Sequence, residues 1–321
     1  MSHWAQVFLF LFSGKNITIK GNLITVMQTK ILDGNALAKV YLDQYKNQLQ
    51  KLNQNSIKPH LSMVLVGDNP ASISYIKKKQ ESCQKVGLST EVILLPETTT
   101  QAQLSTVLKK LSENPLVHGI LVQLPLPEQL SVPYMLKFLN PRKDVDGFHA
   151  YNTGKLFRSA NYEKLAPCTP KGVIRILEDN QIPVKGQHVV VVGHSDIVGK
   201  PLGVMLLNRD ATVSIAHKFT QNLGDLTRQA DILVSAVGKK HLITKDMVKP
   251  GAVVIDVGFS KEGKKIYGDC DFEGLKGHVS AISPVPGGAG PMTVALLIEN
   301  TLNAYKWWQK HEFSSKDVLW D

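Results

Sequence analysis

The sequence predicts an α/β protein of two αβα domains, the second built on a doubly wound parallel sheet. Three observations carry this. Apolar runs of strand length alternate with segments of helical periodicity through both halves of the chain. The strand runs are apolar throughout, as in Val189-Val-Val-Val192, which marks parallel strands covered on both faces. The two series meet near Asp146, and a length of 321 residues favours roughly two domains.

Residues 1–28 stand apart and are expected to be an extra, disordered tail, with Met27 as a candidate start. Val7–Phe12 is an apolar run too short to span a bilayer. No Lys or Arg precedes it and no small-residue cleavage site follows, so it does not read as a signal peptide. From Asp33 a helix runs to about Asn53, with Leu37, Val40, Tyr41, Tyr45, Leu49 and Leu52 at helical spacing. His60–Gly67 is a buried strand. Asp68-Asn-Pro-Ala-Ser72 is a turn and helix start. The helix from about Ala71 to Val86 carries Tyr75 and Lys79 and stops at Gly87. A strand over Thr90–Leu95, a helix over 101–113, a strand over Gly119–Leu124 and a short helix near 131–139 complete the first series. Ala150 to Pro170, rich in Asn, Thr, Gly and Pro, reads as a linker or lid. The next helix takes Thr169 as N-cap and Pro170 as first residue. Strands are expected at His188–Val192, Thr212–Ala216, Ile232–Ala236, Val253–Val257 and Val279–Ile282. An amphipathic helix from Pro291 to about Trp308 closes the chain.

The apolar content of 43% and charged content of 20% are those of a soluble globular protein. The net charge of +10 favours anionic partners. There is no basic arm and no ladder of basic and aromatic residues, which argues against nucleic acid, and no membrane partner is expected. Cys83, Cys168 and Cys270 are widely separated, which argues against a disulfide framework or a zinc site. Each reads as a small buried apolar residue, a reducing cytoplasm is the simplest location, and no metal is expected.

Gly193-His-Ser-Asp-Ile-Val-Gly199-Lys-Pro201 follows a strand and opens a helix, which places backbone N–H groups and a helix N-terminus against a diphosphate. The two glycines are separated by five residues, not in the G-x-G-x-x-G spacing, so a plain tight turn is the competing reading. After the next strand, Ala216-His217-Lys218 lacks the acid that holds a ribose 2′-hydroxyl and offers a cation instead. This favours NADP over NAD, although Lys218 alone also reads as a solvated surface lysine. In the first half, Tyr75 and Lys79 share one helical face. Desolvation beside the ring lowers a lysine's pKa and suits it to act as general base or proton shuttle. The ordinary reading of any one helical lysine is a solvated face, and Lys77 and Lys78 are of that kind. Gln123 lies inside an apolar strand and needs a partner for its amide. Asp146 precedes Gly147 and also reads as turn chemistry.

Taken together, Val64-Leu-Val-Gly-Asp-Asn-Pro-Ala-Ser72, Tyr75 with Lys79, Gly119-Ile-Leu-Val-Gln-Leu-Pro-Leu-Pro127, Lys143-Asp-Val-Asp-Gly-Phe148, Pro167-Cys-Thr-Pro170, Val198-Gly-Lys-Pro201 and Pro284-Val-Pro-Gly-Gly-Ala-Gly-Pro-Met-Thr293 closely resemble the bifunctional methylenetetrahydrofolate dehydrogenase/cyclohydrolase family. The resemblance spans about residues 30 to 309. It implies a folate-binding catalytic domain over 29–148 plus 292–312 and a Rossmann-like NADP-binding domain over 149–291. The cleft lies between them, and the terminal helix packs back on the first domain. It implies NADP-dependent oxidation of 5,10-methylene-tetrahydrofolate, then hydrolysis of the 5,10-methenyl product to 10-formyl-tetrahydrofolate. Lys79 is then the catalytic lysine, Gln123 holds it, Tyr75 stacks on the aminobenzoyl ring and Asp146 binds the pterin's amino-pyrimidine edge. Leu124, Pro125, Gly287, Gly288 and Pro291 line the folate side. The NADP side comprises Gly193, His194, Ser195, Ile197, Val198, Gly199, Lys200, Pro201, His217, Lys218, Ala236, Val237, Gly238, Val257, Gly258 and Thr293. The resemblance also implies a homodimer and polyglutamylated folates. The chain departs from the family at Ala289, commonly valine, and at His194 and Lys218, where many members have arginine. The rival readings are a dehydrogenase of the shikimate or quinate kind and a non-catalytic NADP-sensing module.

Overall fold

The structure, a computed structural model, describes residues 15–19, 22–26, 28–54, 57–263 and 265–310. Where a loose tail is expected, β1 (Lys15–Ile19) and β2 (Asn22–Val26) pair as an antiparallel hairpin. Both are rich in β-branched residues, which suit strands. The Val7–Phe12 run lies outside the described residues.

Next come β3 (Lys30–Ile31), α1 (Gly34–Leu52), β4 (His60–Val66), α2 (Pro70–Val86), β5 (Ser89–Leu95), α3 (Gln101–Glu113), β6 (Gly119–Val122) and α4 (Val132–Leu136). Their boundaries follow local chemistry. The Asp33 carboxylate accepts from the N–H groups of Asn35 and Ala36 and starts α1. Asn69 does the same for α2, which ends on Gly87 in the left-handed region at φ 84°. A reciprocal pair between Thr100 and Gln103 caps α3. Strands β5, β4 and β6 form a parallel three-stranded sheet in that order.

The stretch expected to be a linker is helical instead. It forms α5 (Ala150–Leu156), a 3-10 helix over Ala160–Leu165, and the start of α6 (Cys168–Asp179). Thr169 is not the cap: Pro167 holds that position and Pro170 is the third helical residue. The first N–H groups of a helix have no internal partner, so proline costs nothing there.

The second half contains β7 (His188–Val192), α7 (Gly199–Leu207), β8 (Thr212–Ala216), α8 (Leu223–Thr227), β9 (Ile232–Ser235), β10 (Val253–Asp256), a small hairpin of β11 (Ser260–Glu262) and β12 (Lys265–Tyr267), α9 (Phe272–Leu275), β13 (Ala281–Ile282) and α10 (Ala289–Lys310). The main sheet has the order β3-β13-β10-β9-β7-β8. Its strands β7, β9 and β10 are buried almost end to end, as their Val- and Ile-rich runs require, whereas β8, at the sheet edge, buries only Ala216 fully. Its outer strand β3 comes from the amino-terminal segment, with Lys30 opposite Ala281 and Ile31 opposite Ile282.

Helix α10 packs on α6 in the second half and on α1 and α2 in the first. One continuous core holds Tyr45 and Leu49 of α1, Met63 of β4, Ile174 of α6 and Leu296 and Ile298 of α10.

Candidate functional site

The β4-α2 turn and the end of β6 bring two of the expected residues together. Lys79 is 6% exposed on the inner face of α2, and its Nζ donates to Gln123 Oε1 at 3.1 Å. The other end of that amide is fixed: Nε2 donates to the Leu124 carbonyl at 2.6 Å, and the backbone N–H of Gln123 reaches Val64 O. Gln123 therefore has its acceptor oxygen facing the lysine. A cis peptide joins Leu124 to Pro125, which are half-buried and exposed respectively.

Asp146 completes the group. Burial raises its pKa, while the nearby Lys79 charge and a hydrogen bond from Cys168 act the other way. Its loop is held by a second carboxylate. Asp144, 1% exposed, accepts from the N–H groups of Gly147 and His149 at 3.0 and 2.8 Å and from Asn152 Nδ2 at 2.9 Å. Burial pushes the Asp144 carboxyl up to about 6 against those donors. Gly147, at φ 76°, sits so close to Leu165 O and Pro167 N that a Cβ would lie 2.6 Å from each. Lys143 points away from the group and ties the loop to the end of α3, with its Nζ 2.6 Å from Asn114 O.

Tyr75, one turn before Lys79, is 40% exposed, and burial raises its pKa. Its ring makes an edge-to-face contact with that of Phe259, with centroids 6.3 Å apart. Phe259 follows β10, so this contact bridges the two halves. Gly287 and Gly288 are buried ahead of α10. The Asn35 N–H donates to Gly287 O at 3.1 Å, and a Cβ on Gly34 would fall 1.9 Å from Gly288 O. Pro291 is half-buried in the first turn of α10. Thr293 lies on the same turn and shares a 3.0 Å hydrogen bond with Thr169. Thr169 adjoins Cys168, so Thr293 stands on the Asp146 side.

The expected nucleotide residues collect at the carboxyl ends of β7, β8, β9 and β10, where open α/β sheets bind ligands. Gly193 (φ 122°) and Gly199 make a close backbone approach: a Cβ on Gly199 would sit 1.9 Å from Gly193 O, and one on Gly193 would sit 2.5 Å from Ala236 O. Ser195 Oγ accepts from the Val198 N–H at 3.2 Å, Ile197 and Val198 are half-buried, and Pro201 is buried in α7. Lys200 is paired with Asp196 at 2.5 Å. His194, His217 and Lys218 are exposed. The two imidazoles lie 4.8 Å apart, and the lysine stands over the Phe219 ring. The glycine cradle and these basic side chains fit a dinucleotide phosphate.

Sequence reasoning missed the residues that shape the remaining loops. Asp269, fully buried, accepts from the N–H groups of Val237 and Lys239 and from Ser235 Oγ, and so holds the Ala236–Gly238 turn. Asp256 accepts from the N–H groups of Gly258, Asp269 and Cys270 and holds the Val257–Gly258 turn. Burial pushes the Asp256 carboxyl up to about 6. The available signal was an acid ending the apolar run Val253-Val-Ile-Asp256. Phe259 also went unnoticed, as did Lys171 and Asn300, both buried. Lys171 Nζ donates to Asn300 Oδ1 at 2.9 Å and pairs with Glu299 at 2.9 Å. Asn300 Nδ2 donates to Val145 O and Ala166 O, beside Asp146. Polar residues inside the periodic faces of two helices were the signal here.

Cys83, Cys168 and Cys270 are free and buried. Among the described residues, no helix is long and apolar enough to cross a membrane, and no cluster of three or more His, Cys, Asp or Glu is placed to hold a metal ion.

Two family descriptions match the chain: tetrahydrofolate dehydrogenase/cyclohydrolase, catalytic domain, over residues 32–146, and the NAD(P)-binding domain of the same family over residues 167–309. The chain is 49% identical over 276 residues to bifunctional protein FolD of Methanosarcina mazei, covering 86% of this chain and 96% of that protein. It is 45% identical over 280 residues to bifunctional protein FolD of Halalkalibacterium halodurans, covering 87% and 100%. The bifunctional FolD methylenetetrahydrofolate dehydrogenase/cyclohydrolase structure from Campylobacter jejuni superposes with a TM-score of 0.83 at 43% identity, over 87% of this chain and 99% of that one. The FolD structure from Trypanosoma brucei, in complex with NADP cofactor and inhibitor, gives 0.85 at 32% identity, over 88% and 99%. The buried lysine–glutamine pair and the glycine cradle thus sit in the two halves of one known architecture, and the chain belongs to the tetrahydrofolate dehydrogenase/cyclohydrolase family.

Proposed function

We propose that the chain oxidises 5,10-methylene-tetrahydrofolate to 5,10-methenyl-tetrahydrofolate with NADP and then hydrolyses the product to 10-formyl-tetrahydrofolate, both at the cleft around Lys79. The observation that carries this reading is the sheltered Lys79 amine held on the Gln123 carbonyl. Hydrolysis needs a water activated and a proton moved, and Lys79 is the group placed for it. Gln123 keeps that amine in position. Tyr75 offers a ring face to the aminobenzoyl group. Asp146 accepts from the amino-pyrimidine edge of the pterin, and Leu124, Pro125, Gly287, Gly288 and Pro291 line the folate. When bound, NADP supplies the hydride acceptor. Gly193, Ser195 and Gly199 form the close turn that receives its diphosphate, the Gly193 N–H itself being donated to Ala216 O. His194, His217 and Lys218 meet the extra phosphate, with Lys200 near and Ile197, Val198, Pro201, the Ala236–Gly238 and Val257–Gly258 turns and Thr293 around the rest. Oxidation asks of the protein mainly that the reacting carbon be positioned.

The two steps therefore divide on one residue. Lys79→Met is expected to lower hydrolysis by about 100-fold or more and oxidation by less than about ten-fold. Absorbance assays of both steps, with NADP and NAD side by side, check this, and equal losses in the two steps overturn the division. The net charge of +10 suits two polyanionic ligands, NADP and a glutamate-tailed folate. Free buried thiols suit the cytosol. Homodimeric assembly is part of this reading, and light scattering tests it.

A further inference from the structure

Two buried carboxylates stand behind the turns at the ends of β9 and β10 and have no part in the chemistry proposed above. Asp269 and Asp256 are 0% and 3% exposed. Both oxygens of Asp269 are engaged. Oδ2 accepts from Ser235 Oγ at 2.8 Å and from the Val237 N–H at 2.7 Å, and Oδ1 accepts from the Lys239 N–H at 2.8 Å. The residue reaches these groups from 30 to 34 positions along the chain. Asp269 is itself held, because its own N–H and that of Gly258 both donate to Asp256 Oδ1 at 3.0 Å. A Cβ on Gly258 would lie 2.0 Å from the Asp269 carboxyl carbon, so the turn after β10 rests directly on this side chain. One carboxylate thus fixes the turn after β9 by hydrogen bonds and the turn after β10 by contact.

We infer that Asp269 is a positioning residue for the oxidation step: it sets the two turns that seat the part of NADP beyond its diphosphate. This rests on the NADP reading. The sheet order runs β10-β9-β7-β8. With Lys218 after β8 and the glycine cradle after β7, a dinucleotide laid across the strand ends has its remaining half over β9 and β10. Val237, 46% exposed in the first turn, leaves apolar surface for that half. Phe259, next to Gly258, touches Tyr75 on the Lys79 side. A carboxylate is acceptor-only and matches three converging donors. An amide in its place must turn an NH2 group toward the N–H of Val237 or of Lys239, and the turn after β9 loses an anchor. Hydrolysis, which needs no NADP, has no such dependence.

The test compares Asp269→Asn with the unmodified chain in three measurements. Fluorescence titration without folate is expected to show NADP bound about ten-fold more weakly. Hydrogen exchange read by mass spectrometry, without ligand, is expected to quicken in the peptide spanning 235–240 and not in the one around Lys79. With 5,10-methenyl-tetrahydrofolate supplied directly, hydrolysis is expected to keep its KM and kcat, whereas oxidation shows a raised KM for NADP. Ser235→Ala removes one donor and leaves the carboxylate. It is expected to weaken NADP in the same direction by about three-fold, and it decides the matter if Asp269→Asn does not fold. Unchanged NADP affinity, or hydrolysis falling in parallel with oxidation, overturns the assignment. An unmodified chain that binds no NADP sinks the proposed activity instead, so the two failures are distinguishable.

Discussion

Asp256 is a carboxyl that the fold makes easier to protonate. Burial lifts it to about 6 even though the N–H groups of Cys270 and Asp269 favour the ionised state. In the unfolded chain an aspartate titrates near ~3.9. The native state therefore binds the proton more tightly, and the contribution to stability is fully present below about pH 4 and lost as pH rises through about 6. The difference corresponds to about 3 kcal/mol at most. Asp256→Asn removes this titration. Denaturant unfolding of both proteins from pH 4 to pH 7 is expected to show a stability difference that changes by a few kcal/mol across that window; a constant difference counts against the assignment. Asp144, also raised to about 6 by burial, acts in the same direction. Glu299 acts in the opposite one. Burial lifts it, but Lys171 and the hydrogen bond from Tyr45 outweigh burial and hold it below the usual range. Its contribution is present above the ordinary glutamate pKa and fades in acid.

Elements were legible in proportion to how local their causes are. The helix over 101–113 and the strands at His188–Val192 and Thr212–Ala216 lie where periodicity and apolar runs put them. The 150–170 stretch was misread because short helices rich in Asn, Thr and Gly carry little apolar periodicity. They are held from outside instead, through contacts such as Asn152 on Pro141 and Glu163 on Arg209. The β7-α7 turn shows the opposite case, in which a loop is dictated by its own residues. Gly199→Ala would drive a Cβ into the Gly193 carbonyl. Because the backbone atoms there cannot yield, the turn must open. NADP affinity is expected to fall at least ten-fold in a fluorescence titration, while the hydrolytic step proposed for the Lys79 side of the cleft is expected to be kept.

At the scale of the molecule, α10 ties the two halves together. The Lys171–Glu299 pair, with Tyr45 bonded to Glu299 at 2.6 Å, joins α1, α6 and α10 through buried polar contacts. Asn300 reaches from α10 to the backbone at Val145 and Ala166. None of this was legible locally. Lys79 and Gln123 declare themselves within short motifs, whereas Asn300 and Val145 are 155 positions apart. The same holds for β3, whose two residues carry no strand signal of their own and close the edge of the far sheet. Asn300→Ala would leave two buried carbonyls without this donor, at a cost of about 1–3 kcal/mol. It is expected to lower the unfolding midpoint in urea and to raise folate KM more than it lowers kcat, since the displaced backbone adjoins Asp146.

The perpendicular contact of Phe259 with Tyr75 has its own consequence. A flat ligand stacked on Tyr75, as proposed for the aminobenzoyl group, would lie beside that neighbour. The backbone of Phe259 is close to Gly238, where an added Cβ would lie 3.3 Å from its carbonyl oxygen. If both ligands lie where proposed, folate affinity measured with and without NADP is expected to differ. Phe259→Ala is expected to shrink that difference, which would make a single phenyl ring the messenger between two visitors that never exchange places.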